Sequence, residues 1–390
     1  MHSLHVTPYY APAYSFGGVV TATQGLTRAL VQRGHDITVL TTDALSFDSR
    51  ISNEADTVLD GVRVLRVPNK IYALRKLNLS TPFSLRKVIE PRLPTIDIVH
   101  LHEFRTVENL LLAPLVAKYQ IPTVLSPHGT LNLATGRSTL KIWWDKLLSP
   151  RVAQHIYHVI ALAQSELDDI QAVWSRFNNL KTTFSIIPNG VNPDELSTLP
   201  NAAPFREKYA LGNAQVVLFM GRLHERKGVY VLAKAFLEAN IPNTKLVLAG
   251  PDEGMRERLE SLADERIVLT GYIRGDERLQ ALAAASLFVL PAVGEGLSMA
   301  VLEAMSAELP VLLSPGCNFP EAEAYHAGRI VEPQITPLTD ALREMLSDTV
   351  ALSQMGQNAK NLIHERFTWD TVAEQIENLY STVLANQKAP

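Results

Sequence analysis

The sequence predicts an α/β protein made of two doubly wound domains that face each other across a cleft. The chain has 390 residues, more than one ordinary hydrophobic core accommodates. Short apolar runs typical of buried parallel strands recur, with enough chain between them for helical crossovers. These runs form two series separated by a polar stretch rich in turn residues, so each series predicts its own sheet.

The first series predicts the sheet of an N-terminal domain. Its predicted strands are His5–Thr7, Ile37–Leu40, Val62–Val67, Ile96–Leu101, Thr123–Ser126, Val159–Leu162 and Phe184–Ile187. Between the first two, the spacing of Leu26, Leu30 and Val31 predicts a helix over 22–33 that ends at Gly34.

The second series predicts a similar sheet in a C-terminal domain. Its predicted strands are Val216–Met220, Lys245–Ala249, Ile267–Thr270, Leu287–Leu290 and Val311–Ser314. The turn-rich stretch from Pro188 to about Pro204 is the predicted linker. We therefore expect domains at 1–193 and 194–366, followed by a helical segment at 367–390.

Composition excludes some classes of function. The net charge of −4 gives no bulk field that favours nucleic acid. The single cysteine, Cys317, excludes an internal disulfide framework and suits a reducing compartment. The N-terminus resembles a strand rather than a signal peptide, and the longest apolar stretches are broken well short of a membrane span. The expected location is the cytoplasm, with peripheral contact to the inner face of the plasma membrane left open.

The most informative motif is a pair of glutamates, Glu295 and Glu303, eight residues apart. Glu295 lies between two glycines at the start of a helix-forming stretch, and Glu303 falls a little over two turns inside it, on nearly the same face. Free N–H groups at a helix N-terminus bind anionic or hydroxyl-rich ligands, and carboxylates accept hydrogen bonds from vicinal hydroxyls. Phosphates together with vicinal diols describe a nucleotide sugar.

Two loops predict contacts with phosphate. Arg222 and Lys227 stand between a predicted strand end and a helix start, where two cations can clamp a diphosphate. Gly17 and Gly18 follow the first strand and open a helix, so the backbone there can approach a phosphate closely. The glycine spacing of a dinucleotide-binding fingerprint is missing from this loop, which disfavours a dehydrogenase.

Histidines mark two further strand ends. His128 is followed by Gly129 at the end of a first-domain strand, which directs it into the predicted cleft. His100 and His102 alternate with Leu101, so both point to one face of the sheet. With the adjacent Glu103 they suggest a metal site, which is disfavoured because no further histidine or cysteine lies at ligand spacing.

Taken together, these motifs resemble glycosyltransferase family 4, whose members are retaining enzymes of GT-B fold with two Rossmann-like domains. The resemblance covers almost the whole chain. The matching segments are Phe16–Val19, Ser126–Gly129, Ile187–Val191, Gly221–Leu223 with Lys227–Gly228, Ala249–Pro251, Gly271–Tyr272, the Glu295 and Glu303 pair, and Phe367–Trp369. One departure lies at Pro315–Glu321, where the family often has a Gly-Gly pair before Pro-Glu.

The resemblance implies a role for each site residue. Glu303 would hold the ribose hydroxyls of the donor, and Glu295 with the amides of Gly296, Leu297, Ser298 and Met299 would hold the donor sugar. Arg222 and Lys227 would neutralise the leaving diphosphate with help from the Gly18 amide, and His128 would contact the transferring sugar. No metal or other cofactor is implied, because the nucleotide sugar is a substrate. The segment at 367–390 would cross back to the N-terminal domain.

The acceptor is less clearly predicted. The resemblance favours hexose transfer to a glycan or lipid-linked acceptor in exopolysaccharide or cell-surface glycan synthesis, with UDP-glucose as the first choice of donor. Basic and apolar residues at 63–92, and the Trp143–Trp144 segment at 142–148, could contact anionic lipid. Two alternatives stay open: a nucleotide-sugar epimerase or hydrolase of the same architecture, and a non-catalytic sugar-nucleotide sensor.

Overall fold

The computed structural model describes residues 1–52, 54–75, 79–131, 138–177 and 181–388. The chain forms two compact units, the first comprising Met1–Gly190 with Trp369–Pro390 and the second Val191–Thr368. The sequence-predicted boundaries were 193/194 and 366/367. Lys76 and Leu77, which belong to the predicted basic segment at 63–92, lie outside the described residues.

Unit 1 contains an eight-stranded sheet of order β3-β4-β2-β1-β5-β6-β7-β8. Its strands are β1 (His2–Val6), β2 (Asp36–Thr42), β3 (Asp56–Leu59), β4 (Val62–Val67), β5 (Ile98–His102), β6 (Thr123–Ser126), β7 (His158–Ala161) and β8 (Thr183–Ile186). The seven predicted strands are confirmed and pair in parallel. The unpredicted strand β3 pairs antiparallel with β4 at the sheet edge. Its residues alternate between exposed and half-buried, so it lacks the apolar run of a buried strand.

Helices cover both faces of this sheet. They are α1 (Gly18–Gln32), α2 (Tyr72–Arg75), α3 (Leu85–Ile89), α4 (Val107–Lys118), α5 (Ser138–Leu147), α6 (Ser149–Ala153), α7 (Gln164–Trp174) and, from the C-terminus, α16 (Trp369–Lys388). One core cluster joins Leu26 and Leu30 of α1 to Ile376 of α16. The predicted helix over 22–33 is confirmed and begins earlier, at Gly18. Gly25 allows close packing here, because a Cβ at this position would lie 2.1 Å from the Trp369 ring.

Unit 2 contains a six-stranded parallel sheet of order β11-β10-β9-β12-β13-β14. Its strands are β9 (Gln215–Met220), β10 (Thr244–Ala249), β11 (Ile267–Gly271), β12 (Leu287–Leu290), β13 (Val311–Leu313) and β14 (Gly328–Ile330). Its helices are α8 (Ala203–Lys208), α9 (Val229–Ala239), α10 (Arg256–Glu260), α11 (Asp276–Ala284), α12 (Met299–Ser306), α13 (Glu321–Ala324), α14 (Ile335–Ser347) and α15 (Thr349–Arg366). The five predicted strands are confirmed. The unpredicted β14 is three residues long with an arginine at its centre, so it carries no apolar run.

Candidate functional site

The centre of the predicted site in unit 2 is an ion pair between Lys227 and Glu295. Lys227 Nζ lies 2.8 Å from Glu295 Oε1, and the two side chains are only 14% and 18% exposed. Lys227 ends a 3₁₀ turn after β9, and Glu295 lies in the loop after β12. Because β9 and β12 are neighbours in a parallel sheet, their carboxyl ends bring these two loops together.

Hydrogen bonds and close backbone packing fix the two loops against each other. The amide of Val293 donates to the Arg226 carbonyl at 2.9 Å, and the Arg226 guanidinium donates to the Gly294 carbonyl at 3.0 Å. Gly228, with φ of +68°, permits this approach, since a Cβ there would lie 2.2 Å from the Pro291 carbonyl oxygen. The position of Lys227 is therefore set by the fold around it.

The segment Pro315–Glu321, which departs from the family pattern, holds the backbone of Glu295. The Glu295 amide donates to the Gly316 carbonyl at 2.8 Å, and the Asn318 side-chain amide donates to the Glu295 carbonyl at 2.5 Å. A Cβ on Gly316 would lie 2.4 Å from the Ala292 carbonyl oxygen, so this position requires glycine. Gly316 and Asn318 thus hold the backbone of Glu295, a role that the sequence did not predict.

Glu303 is paired with a residue that the sequence did not single out. It lies in α12 and forms an ion pair with Arg278 of α11. Burial raises the pKa of the Glu303 carboxyl, and the charge of Arg278 opposes that shift. Arg278 therefore favours the ionised form of Glu303, which accepts hydrogen bonds through both oxygens.

The position of Glu303 in its helix differs from the expectation. Because α12 begins at Met299 with Ser298 as its N-cap, Glu303 lies just over one turn inside the helix and Glu295 lies in the preceding loop. The shared helical face predicted for the two carboxylates is therefore wrong. The glycines on both sides of Glu295 favour a loop over a helix. At the start of α12 the Val301 and Leu302 amides donate to the Ser298 carbonyl, so the N–H groups without an intrahelical partner are those of Ser298, Met299 and Ala300.

Arg222 is held apart from this pair. Its guanidinium donates to both oxygens of Glu253, at 3.0 and 3.1 Å, and its side chain is 50% exposed. Glu253 belongs to the loop after β10, whose backbone bonds to Leu223. In this structure Arg222 thus makes its ion pair with Glu253, whereas Lys227 makes its ion pair with Glu295.

In unit 1, the predicted glycine loop and His128 lie at helix and strand ends. Gly17 is the N-cap of α1 with φ of +106°, and Gly18 is the first helical residue. His128 follows β6 with φ of +55°, a conformation uncommon for a residue other than glycine. It lines a small pocket with Asn189 and Trp369.

A buried carboxylate supports the His128 turn. Glu166 of α7 accepts the Gly129 amide at 2.5 Å and the Leu162 amide at 2.7 Å. Burial raises the pKa of Glu166 to about 7, although both hydrogen bonds favour its charged form. The sequence analysis missed Glu166 because a glutamate in the first turn of a helix is usually solvated.

His128 also belongs to a cluster of buried histidines. Its Nε2 lies 2.9 Å from His102 Nδ1, and His102 Nε2 lies 3.0 Å from His5 Nδ1. His100 contacts the Tyr380 hydroxyl at 2.6 Å and the Ser126 hydroxyl at 2.8 Å. The expectation that His100 and His102 share one face is confirmed by their stacked rings, whose centroids are 4.3 Å apart.

Ring nitrogens of His5, His100 and His102 all lie within 4.8 Å of one another, a spacing that would admit a metal ion. The third residue of this set is therefore His5 and not Glu103, the neighbour that the sequence suggested. The sequence analysis found no further ligand because His5 is 95 residues from His100, and only the pairing of β1 with β5 places them opposite each other. Burial lowers the pKa of His5 to about 3 and of His128 to about 4, and holds those of His100 and His102 well below their usual value.

Two family models match the chain. A model described as Glycosyltransferase Family 4 matches residues 16–195, and one described as Glycosyl transferases group 1 matches residues 214–348. An uncharacterized glycosyltransferase of Methanocaldococcus jannaschii is 26% identical, covering 97% of each chain. The UDP-Gal:alpha-D-GlcNAc-diphosphoundecaprenol alpha-1,3-galactosyltransferase of Escherichia coli is 28% identical, covering 85% of this chain and 87% of its own.

Solved structures resemble the whole chain. Anabaena HepE in complex with UDP-glucose has a TM-score of 0.76 at 18% identity and covers 98% of this chain and 100% of its own. Sucrose-phosphate synthase of Thermosynechococcus elongatus has a TM-score of 0.74 at 18% identity and covers 99% of both chains. The fold is GT-B, as the sequence resemblance implied.

Proposed function

We propose that this chain, which belongs to the family 4 type glycosyltransferases of GT-B fold, transfers a hexose from a nucleotide sugar with retention of configuration and without a metal ion. The observation that carries the proposal is the Lys227–Glu295 pair at 2.8 Å in a largely buried position. It joins a cation suited to a diphosphate to a carboxylate suited to sugar hydroxyls.

The chemistry follows from where charge develops. Breaking the bond between the sugar carbon and the phosphate oxygen places negative charge on the leaving diphosphate. Lys227, held by the loops around it, stabilises that charge without reorganising, and Arg222 can turn from Glu253 to add a second cation. These two cations support transfer without a metal.

The remaining site residues bind the two ends of the donor. Ionised Glu303 accepts hydrogen bonds from ribose hydroxyls, and the first turn of α12, from Ser298 and Met299, offers N–H groups to the sugar. We assign the Gly18 amide, at the start of α1, to the diphosphate and His128 to the transferring sugar.

The proposed donor is UDP-glucose and the proposed acceptor is a glycan or a lipid-linked diphosphate sugar. Two similar proteins support the donor, one solved in complex with UDP-glucose and one that uses UDP-Gal. The acceptor class is supported by the second of these, which acts on a diphosphoundecaprenol-linked sugar. Such a reaction would serve exopolysaccharide or cell-surface glycan synthesis.

A lipid-linked acceptor would require contact with the cytoplasmic face of the membrane. None of the helices in the described ranges is long and apolar enough to cross a bilayer. In α5, however, the side chains of Ile142, Trp143 and Leu147 are 49%, 61% and 58% exposed, and Lys146 lies near the Trp143 ring. Exposed apolar side chains beside a lysine fit the interface of an anionic membrane. We propose α5 as a peripheral membrane contact.

The test measures the product and its metal requirement. With UDP-glucose and a lipid-linked sugar acceptor, we expect an α-configured product by NMR and unchanged activity in EDTA. An inverted anomer, or activity that EDTA abolishes and manganese restores, would contradict this mechanism.

A thermal-shift panel of UDP, GDP and ADP sugars identifies the donor, since ligand at a hundred times its dissociation constant stabilises the protein by about 2.7 kcal/mol. Products formed without acceptor would favour an epimerase or hydrolase, and binding without turnover would favour a sensor.

A further inference from the structure

Three histidines of unit 1 form a continuous hydrogen-bonded run that the proposed chemistry does not yet use. His128 Nε2 contacts His102 Nδ1 at 2.9 Å, and His102 Nε2 contacts His5 Nδ1 at 3.0 Å. The rings are nearly parallel, with interplanar angles of 18° and 20°. The two end nitrogens, His5 Nε2 and His128 Nδ1, are buried without a hydrogen-bond partner.

The hydrogen bonds favour an imidazole run over a metal site. Both nitrogens of His100 are already bonded, to Tyr380 and Ser126, and both nitrogens of His102 are bonded to the other two histidines. A metal on His5, His100 and His102 would break several of these bonds. The run needs no rearrangement.

Proton counting restricts the run to two states. The depressed pKa values of His5, His102 and His128 keep the three rings neutral near pH 7. Three neutral rings carry three N–H groups and three bare nitrogens, and the two hydrogen bonds use two of each. One N–H and one bare nitrogen remain, at opposite ends of the run. The N–H is therefore either on His128 Nδ1 or on His5 Nε2.

Burial distinguishes these two states. His5 is fully buried, whereas His128 is partly exposed and lines a pocket. An orphaned N–H deep in the protein is rarer than an unsatisfied acceptor. His128 Nδ1 is likewise buried in this structure, but the His128 ring is partly exposed and lines a pocket, so an acceptor that enters the site can approach this end of the run, whereas the fully buried His5 offers no such approach. We propose that His5 and His102 are positioning residues that hold His128 as the Nδ1–H tautomer, so that it donates a hydrogen bond to an oxygen of the transferring sugar.

This proposal rests on the proposed role of His128 in sugar transfer. It specifies that His128 is the hydrogen-bond donor in its contact with the sugar. In the opposite tautomer, His128 would accept from a sugar hydroxyl and leave the N–H of His5 without an acceptor. A ring or glycosidic oxygen carries no proton and can pair only with the donor form, whereas a hydroxyl can pair with either form. The run thus selects which sugar oxygen His128 recognises.

Two amide substitutions at position 102 test the run. The Nδ2 of asparagine falls near the position of histidine Nδ1, and the Nε2 of glutamine falls near that of histidine Nε2. His102→Asn therefore keeps a partner for His128, and His102→Gln keeps only the partner for His5. His158→Gln is the matched control, since His158 is a buried histidine of the same sheet that bonds to Thr183 and Ser185.

The primary measurement is the tautomer of His128, read by NMR of histidine-¹⁵N-labelled protein without ligand and assigned with His128→Gln. We expect protonated Nδ1 in the wild type, His102→Asn and His158→Gln, and a mixed tautomer in His102→Gln. With donor saturating, His102→Gln should lower kcat roughly three- to tenfold, the value of one neutral hydrogen bond, with KM nearly unchanged.

Several outcomes would overturn the proposal. They are a proton on Nε2 of wild-type His128, equal kcat in the asparagine and glutamine variants, and stoichiometric metal in the purified protein by elemental analysis. If the position 102 variants do not fold, the same comparison is made at position 5. His5→Asn keeps a hydrogen-bond partner for His102, and His5→Phe removes it. If no donor supports transfer, the proposed function fails, while the tautomer, measured without ligand, still decides the run.

Discussion

Replacing Lys227 by alanine tests the central pair of the proposed active site. The change removes a cation whose nitrogen lies 2.8 Å from Glu295, where both side chains are less than a fifth exposed. It therefore has two effects, because the leaving diphosphate loses its stabilising charge and Glu295 is left without its counter-ion. Both effects oppose negative charge that develops as the bond breaks.

The magnitude follows from this geometry. At 2.8 Å, two unit charges interact by roughly 6 kcal/mol at an effective dielectric of about 20, before the cost of desolvation. Losing one preorganised stabilising group typically costs about 10²–10³ in rate. We expect Lys227→Ala to lower kcat and kcat/KM together by about this factor, while the affinity for the nucleotide sugar falls less. Adding Glu295→Gln should restore part of the loss that comes from the uncompensated carboxylate, with a coupling of about 1–3 kcal/mol.

The assay is release of UDP under saturating UDP-glucose, with circular dichroism as the check on folding. Lys360→Ala is the matched control, because Lys360 forms an exposed ion pair with Glu308 at 3.1 Å. Exposed pairs contribute little, so this control should remain near wild type. A kcat of Lys227→Ala within twofold of wild type would refute the role in leaving-group stabilisation. Additive effects in the double variant would mean that the pair does not act as a unit.

Three further predictions concern donor binding, pH and the membrane. Glu303→Ala should weaken nucleotide-sugar binding by about 1–3 kcal/mol in calorimetry, because it removes a charged acceptor of ribose hydroxyls; unchanged affinity would make the carboxylate structural. The pKa of His5 is about 3 in the folded protein against an ordinary 6.5, so the unfolded chain binds the extra proton as the pH falls below 6.5. Between pH 7 and pH 4, the unfolding free energy of the wild type, measured by urea titration, should fall by about 3 kcal/mol more than that of His5→Phe. If the unfolding free energies of the two proteins change with pH in parallel, this prediction is wrong. Trp143→Ser should reduce sedimentation with anionic vesicles severalfold, because Trp143 is 61% exposed on α5. The control Val350→Ser, at a 79% exposed valine of α15, should leave sedimentation unchanged. Equal effects of the two changes would exclude α5 as the membrane contact.

Much of the fold and part of the site could be predicted from the sequence. Buried parallel strands carry continuous apolar runs, so β2, β6 and β10 were predicted to within two residues. The site loops follow strand ends, which placed Lys227 and Glu295 at one edge of a sheet. Short polar strands such as β3 and β14 have no such signal. The sequence predicts a helix start at Glu295, but α12 begins at Met299, because the glycines on both sides of Glu295 favour a loop.

The sequence by itself determined which elements form and which side chains stand at strand ends, because the spacing of apolar residues and the positions of glycines act locally. Only the tertiary structure decided the partners. Lys227 pairs with Glu295, whereas Arg222 pairs with Glu253, and Arg278 reaches Glu303 from a different helix. Such contacts join residues far apart in the chain, so they depend on strand order and register, which local patterns do not encode. The register of β1 with β5 sets His5 opposite His100, and this pairing brings His5 within reach of His102.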